Sequence, residues 1–278
     1  MFAGAAAADF SAPRISPNAT ITQTLGITDL KVTYSRPGVR GRAIWGDVVP
    51  YGKPWRTGAN DATTFTCSTE IRVNGQTLPA GTVQLLHHPG AERVDHGVQQ
   101  AEGICGAPSR TTRRRISCAS RPRRSGPSLH EWMDFAFEDL APDALPKSPG
   151  AGKLVLRWEK LAVPITIETD MNNLVLASAR AEMAKLKSDD WRTPYRAAQY
   201  CLDNEVNADE GWQWAQKSVT IQENYQNLTL VARWHAKAGR TKEAVAAGQK
   251  AVKVGKASKD KVDTSATEKL VAEWTAKK

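Results

Sequence analysis

The chain changes character once, and that change constrains its fold more than any other feature. Up to Glu168 it runs in short stretches rich in Thr, Ile, Val, Tyr and Phe, cut by glycine and proline. From Asn172 onward, apolar residues recur at helical spacing. Period-two stretches build sheets and period-3.6 stretches build helices. Strands gathered first and helices gathered second give an α+β, multi-domain reading. The expected layout is a tail over residues 1–17, an antiparallel β-sandwich-like domain over 18–168 and an all-α domain over 169–278.

The strand assignments are specific. Ala19–Ile27 and Asp29–Ser35 read as a first pair, ended by Arg36-Pro37-Gly38. Thr63–Cys67 and Ile71–Val73 follow, and Asn74-Gly75 predicts a hairpin into Gln76–Leu78 because both residues tolerate positive φ. Glu131–Glu138, Lys153–Glu159 and Val163–Glu168 complete the set. In the second half, helices are expected over Asn172–Lys187, from a cap at Thr193 ahead of Pro194, and over Thr264–Ala276. Gln216-Lys217-Ser218-Val219 recurs as Gln249-Lys250-Ala251-Val252, a shift of 33, and Ala198 and Tyr200 map onto Ala232 and Trp234 at 34. Two helices per unit at this period resemble tetratricopeptide repeats, whose grooves hold protein or peptide partners.

Charge isolates one segment. The 278 residues carry a formal net charge of +9. Val83–Ser128 alone contributes +5, from eight arginines against Glu92, Asp95 and Glu102. It holds no Phe, Tyr, Trp, Met or Lys, so it has little with which to anchor a core. Its arginines at 113–115, 121, 123 and 124 have no interleaved aromatics, which argues against nucleic-acid binding. His87, His88, His96 and Cys105 match no metal template, so no metal site and no cofactor are expected. No apolar run approaches the length of a membrane span. Cys67 and Cys201 read as buried free thiols, and His235 as a packing or surface residue.

Several motifs in order resemble the bacterial domain-of-unknown-function family 2911. They are SAPRISPNATITQTLGITDLKVTYSRPGVRGRAIWG (Ser11–Gly46), VPYGKPWRTGAND (Val49–Asp61), VNGQTLPAG (Val73–Gly81) and KLVLRWEKLAVPITIE (Lys153–Glu168). The resemblance implies a secreted or periplasmic β-domain with no assigned activity and no transferable catalytic residues. The small-residue start MFAGAAAADFS reads either as the end of a truncated signal peptide, which fits the same location, or as a flexible tail only. The departure from the family falls on the basic segment. Val83–Pro89 can be encoded so that dropping one base yields Tyr-Ser-Phe-Phe-Thr-Ile-Pro. Glu92–Gln99 and Ile104–Ser109 can likewise yield Ser-Glu-Trp-Thr-Met-Val-Phe-Asn and Asn-Leu-Trp-Gly-Ala-Phe, as relatives have there. We therefore expect Val83–Ser128 to be an irregular, out-of-frame stretch that forms no regular sheet and leaves the chain unstable; the competing reading is a genuine basic insertion loop.

One in-frame motif carries chemistry. Trp55, Arg56, Thr57, Asn60 and Asp61 offer an indole face, a guanidinium and an amide, which suit a glycan or small polar ligand. The alternative is structural: Trp55 plugs the sandwich while Arg56 and Asn60 satisfy loop backbone. Three functions follow: a non-enzymatic exported binding or scaffolding protein, a hydrolase-type enzyme with its site near Arg56 and Asn60, or the inactive product of a frameshifted gene. No catalytic residue is assigned, and the oligomeric state stays open.

Overall fold

A computed structural model describes residues 12–89, 101–105, 116–120, 123–124, 129–140, 150–259 and 262–276. Part of the expected N-terminal tail, and the arginines at 113–115 and 121, lie outside the described residues. The chain divides into two compact units, with the change falling between Met171 and Asn172.

The first unit is built from two antiparallel sheets. In chain order the strands are β1 Asn18–Leu25, β2 Thr28–Ser35, β3 Thr64–Cys67, β4 Ile71–Val73, β5 Gln76–Leu78 and β6 Gly81–Pro89. They continue with β7 Ala101–Cys105, β8 Ile116–Ser120, β9 Arg123–Arg124, β10 His130–Glu138, β11 Gly150–Glu159 and β12 Leu161–Thr169. One sheet has the order β1-β2-β3-β6-β7-β8 and the other β10-β11-β12-β4-β5, with β9 paired to β12. The alternation read from sequence is what the sheets bury. Leu30, Val32 and Tyr34 of β2 point into one core with Phe65 and Cys67 of β3, Met133 and Phe135 of β10, and Leu154, Leu156 and Trp158 of β11. Tyr34 meets Phe135 edge-on at 4.9 Å, and its hydroxyl accepts from the Phe135 N–H at 3.2 Å, tying the sheets together.

The expectation of no regular sheet within Val83–Ser128 is corrected. β6 pairs antiparallel with β3, Val83 opposite Phe65 and Gln84 opposite Thr64, and β7, β8 and β9 also pair. The reason is that β3 presents an open edge of backbone donors and acceptors, which any extended segment can satisfy. β6 also retains a period-two pattern, with Leu85 and His87 both buried.

The second unit holds α1 Met171–Met183, α2 Arg192–Asn204, α3 Ala208–Ile221, α4 Tyr225–Lys237, α5 Thr241–Ala257 and α6 Ser265–Ala276. The sequence period reappears as burial. Gly211, Ala215 and Ser218 are the buried small residues of α3, and Ala244, Gly248 and Ala251 occupy the same places in α5, each 33 residues on. Gly211 is required by close approach: an added Cβ would lie 2.6 Å from Cys201 Cβ and 2.8 Å from Trp234 Cζ2. The cap of α2 differs from expectation. Asp190, not Thr193, accepts from the backbone N–H groups of Arg192 and Thr193 at 3.0 and 3.1 Å, because a carboxylate set just ahead of the helix reaches both orphan donors.

Candidate functional site

The long connection between β2 and β3 carries the Trp55 motif and is packed as part of the unit. Ile44, Val49 and Trp55 are buried in the sandwich core. Trp55 exchanges backbone hydrogen bonds with His87 of β6 at 2.7 and 2.8 Å, so the connection adds a bridge to the sheet. The next residues are locally strained. Thr57 sits at φ 56°, unusual for a β-branched residue. It is held there by its Oγ1, which donates to the carbonyls of Trp55 and Leu85, and by Thr63 Oγ1, which donates to the Thr57 carbonyl at 2.7 Å. Such strain persists only where the surroundings over-determine it, and it concentrates at functional loops.

Trp55 then meets Trp158 from β11. Their rings stack at 5.7 Å with 16° between planes, and Trp45 lies edge-on to both at 6.0 and 6.4 Å. His87 completes the cluster at 6.3 Å from Trp55 and 6.5 Å from Trp45. Trp158 is only 1% exposed, yet its Nε1 has no hydrogen-bond partner among the described residues, and neither has Trp45 Nε1. Buried indole N–H groups are normally paired, so this end of the core has donor capacity left over.

A cavity of about 390 Å³ opens against this cluster. Trp55 and Trp158 form part of its wall, Gly58 and Ala59 another part, and Arg40, Arg42 and Arg56 also line it. No carboxylate is among the described lining residues. The three arginines differ in freedom. Arg42 donates to the carbonyls of Val39 and Gly38 at 3.1 and 2.6 Å. Arg40 donates to the Ile15 carbonyl at 3.2 Å, and its guanidinium sits 5.8 Å above the Trp132 ring. Arg56 is exposed, and its side chain has no partner among the described residues. The arrangement offers fixed positive charge and two indoles to a ligand with negative charge and an apolar face.

The five residues singled out from sequence separate here. Trp55 and Arg56 line the cavity. Thr57 lies buried behind it, Asn60 Nδ2 donates to the Ser16 carbonyl at 3.0 Å, and Asp61 pairs with Arg14. Arg40, Arg42 and Trp158 were not singled out. The first two stand in a plain Gly-Arg loop and the third in an ordinary strand pattern, and only the fold brings them to Trp55. No group of three or more His, Cys, Asp or Glu side chains is placed to hold a metal ion among the described residues. No helix among them is long and apolar enough to cross a membrane.

Comparison with protein families matches residues 16–167, more than half of the chain, to the family described as Protein of unknown function (DUF2911). No curated protein and no solved structure matches the chain.

Proposed function

The chain belongs to the DUF2911 family, and from that premise we propose that it is a non-catalytic, exported binding protein of the bacterial envelope, whose β-unit takes a small anionic ligand of glycan type. The observation that carries this reading is the cavity wall: three arginines, two indoles and no carboxylate among the described residues around one volume. That volume lies within the ordinary range of small-molecule sites, about 300–1,000 Å³. Guanidinium forks match carboxylates, and indole faces suit the apolar face of a sugar ring. The helical unit supports a scaffolding role, since helix pairs repeating at 33 residues resemble tetratricopeptide arrays that hold protein or peptide partners. Saturation-transfer NMR on the full chain, with glucuronate, glucose and N-acetylglucosamine in one mixture, tests the ligand class. Transfer to glucuronate above the neutral sugars is expected; equal transfer to all three, or none, overturns it.

A second reading rests on the sequence of one stretch: Val83–Ser128 lacks aromatics, and a codon choice that restores the family's aromatic strand puts a threonine at His87. On that reading, Val83–Ser128 is an out-of-frame product and this copy is inactive. Every described residue lining the cavity lies outside that stretch, so the ligand proposal carries over to a restored chain.

A further inference from the structure

Resting on the cavity reading above, we infer that the ligand is a chain of acidic sugars, which runs out of the cavity and across Trp132.

Trp132 is 40% exposed on β10, and it abuts the cavity wall through two lining residues. Gly38 forms an antiparallel bridge with it, and a Cβ on Gly38 would lie 3.4 Å from Trp132 Cζ3 and 3.2 Å from Glu131 Oε1. The missing side chain lets the ring lie close to the wall. The Arg40 guanidinium stands 5.8 Å above the same ring, so one cation serves both the cavity and the indole. The strand is shaped to hold the ring outward. The β10–β11 register shifts between His130 and Asp134, while Met133 next to Trp132 is fully buried and its N–H donates to the Pro37 carbonyl at 3.0 Å. Irregularities of this kind re-aim side chains beside sites.

Exposed apolar surface concentrates at the same place. Of the five large apolar side chains exposed among the described residues, Ile15 and Val48 line the cavity and Trp132 adjoins it. An apolar rim beside arginines suits a ligand that alternates carboxylates with flat apolar ring faces, as an oligouronate does. A single sugar would fill the cavity and leave Trp132 without a role. An acidic peptide satisfies the arginines but presents no ring face to the indole.

The test is calorimetric titration of the full chain with galacturonate, its dimer and its trimer, and with a glutamate trimer. Affinity is expected to rise about tenfold from monomer to trimer, the size of gain that one added stacking contact supplies. Trp132→Ala should abolish that gain, so that monomer and trimer bind alike, while Trp132→Phe should retain part of it. Equal affinity for monomer and trimer, a length gain that survives Trp132→Ala, or tighter binding of the glutamate trimer overturns this inference and leaves the cavity reading standing. Absence of binding by monomer and oligomers alike overturns both.

Discussion

Arg56 and Thr57 are neighbours in the chain with opposite duties. Arg56 lines the cavity with a guanidinium that has no partner among the described residues, so Arg56→Gln should leave the melting temperature unchanged and weaken an acidic ligand about tenfold, read by calorimetry. Thr57 is buried and bonded to two carbonyls, so Thr57→Val should cost about 1 kcal/mol in denaturant unfolding. The Trp55-Arg56 pair was legible in sequence because an indole beside a guanidinium in a Gly-rich loop is chemically distinctive. Asn60 and Asp61 looked equally promising, but their use in holding Ser16 and Arg14 depends on a partner segment more than forty residues away. The thiols behave as the sequence suggested. Cys67 and Cys201 are both buried. Burial raises both thiols, and Cys201 reaches about 11, with Glu210 adding to the rise. Alkylation followed by mass spectrometry should therefore find Cys67 and Cys201 protected in the native chain at pH 8 and modified once it is unfolded.

At the scale of elements, the helical period was readable because α3 and α5 bury small residues at matching places. The α4 cap was not anticipated. Asn224 Oδ1 accepts from the N–H groups of Gln226 and Asn227, and Asn227 Oδ1 accepts from the Asn224 N–H, so an asparagine stands where a capping box usually has Glu or Gln. Asn224→Ala should cost about 0.5–2 kcal/mol in chemical unfolding of the helical unit. His235 of α4 packs edge-on to Trp212 of α3 at 5.0 Å, with Arg240 on the same ring. Burial, and then Arg240, hold His235 below its ordinary 6.5, with Glu243 opposing. The unfolded chain therefore binds this proton more readily. The stabilisation is complete above about pH 6.5 and is lost as pH falls toward the depressed folded value. His235→Gln should flatten that part of a stability-versus-pH curve. The acid loss below pH 4.5 should remain, because Arg180 lowers Glu210 and Lys256 lowers Glu268. Among the strands, β6 to β9 were missed because composition speaks for side chains, whereas edge pairing is made by backbone.

For the whole molecule, the order of strands before helices made the α+β layout readable, and the ordered motifs led to the family that matches residues 16–167. The cavity was not readable as a site, because its wall joins the start of the chain, the β2–β3 connection and β11. The basic stretch is also settled at this scale, by sequencing the encoding DNA from independent material. Recovery of an aromatic strand in place of Val83–Pro89 would establish the second reading, and it would leave every described cavity-lining residue as it stands. An unchanged reading would make the stretch a genuine insertion. The measurement that tests the central claim most directly is calorimetric titration of the full chain with glucuronate at about 50 mM and about 500 mM salt, with glucose as the neutral control. Saturable one-to-one binding of glucuronate, weakened by salt and absent for glucose, is the predicted result. Equal affinity for the two sugars, or no binding at either salt, would contradict it.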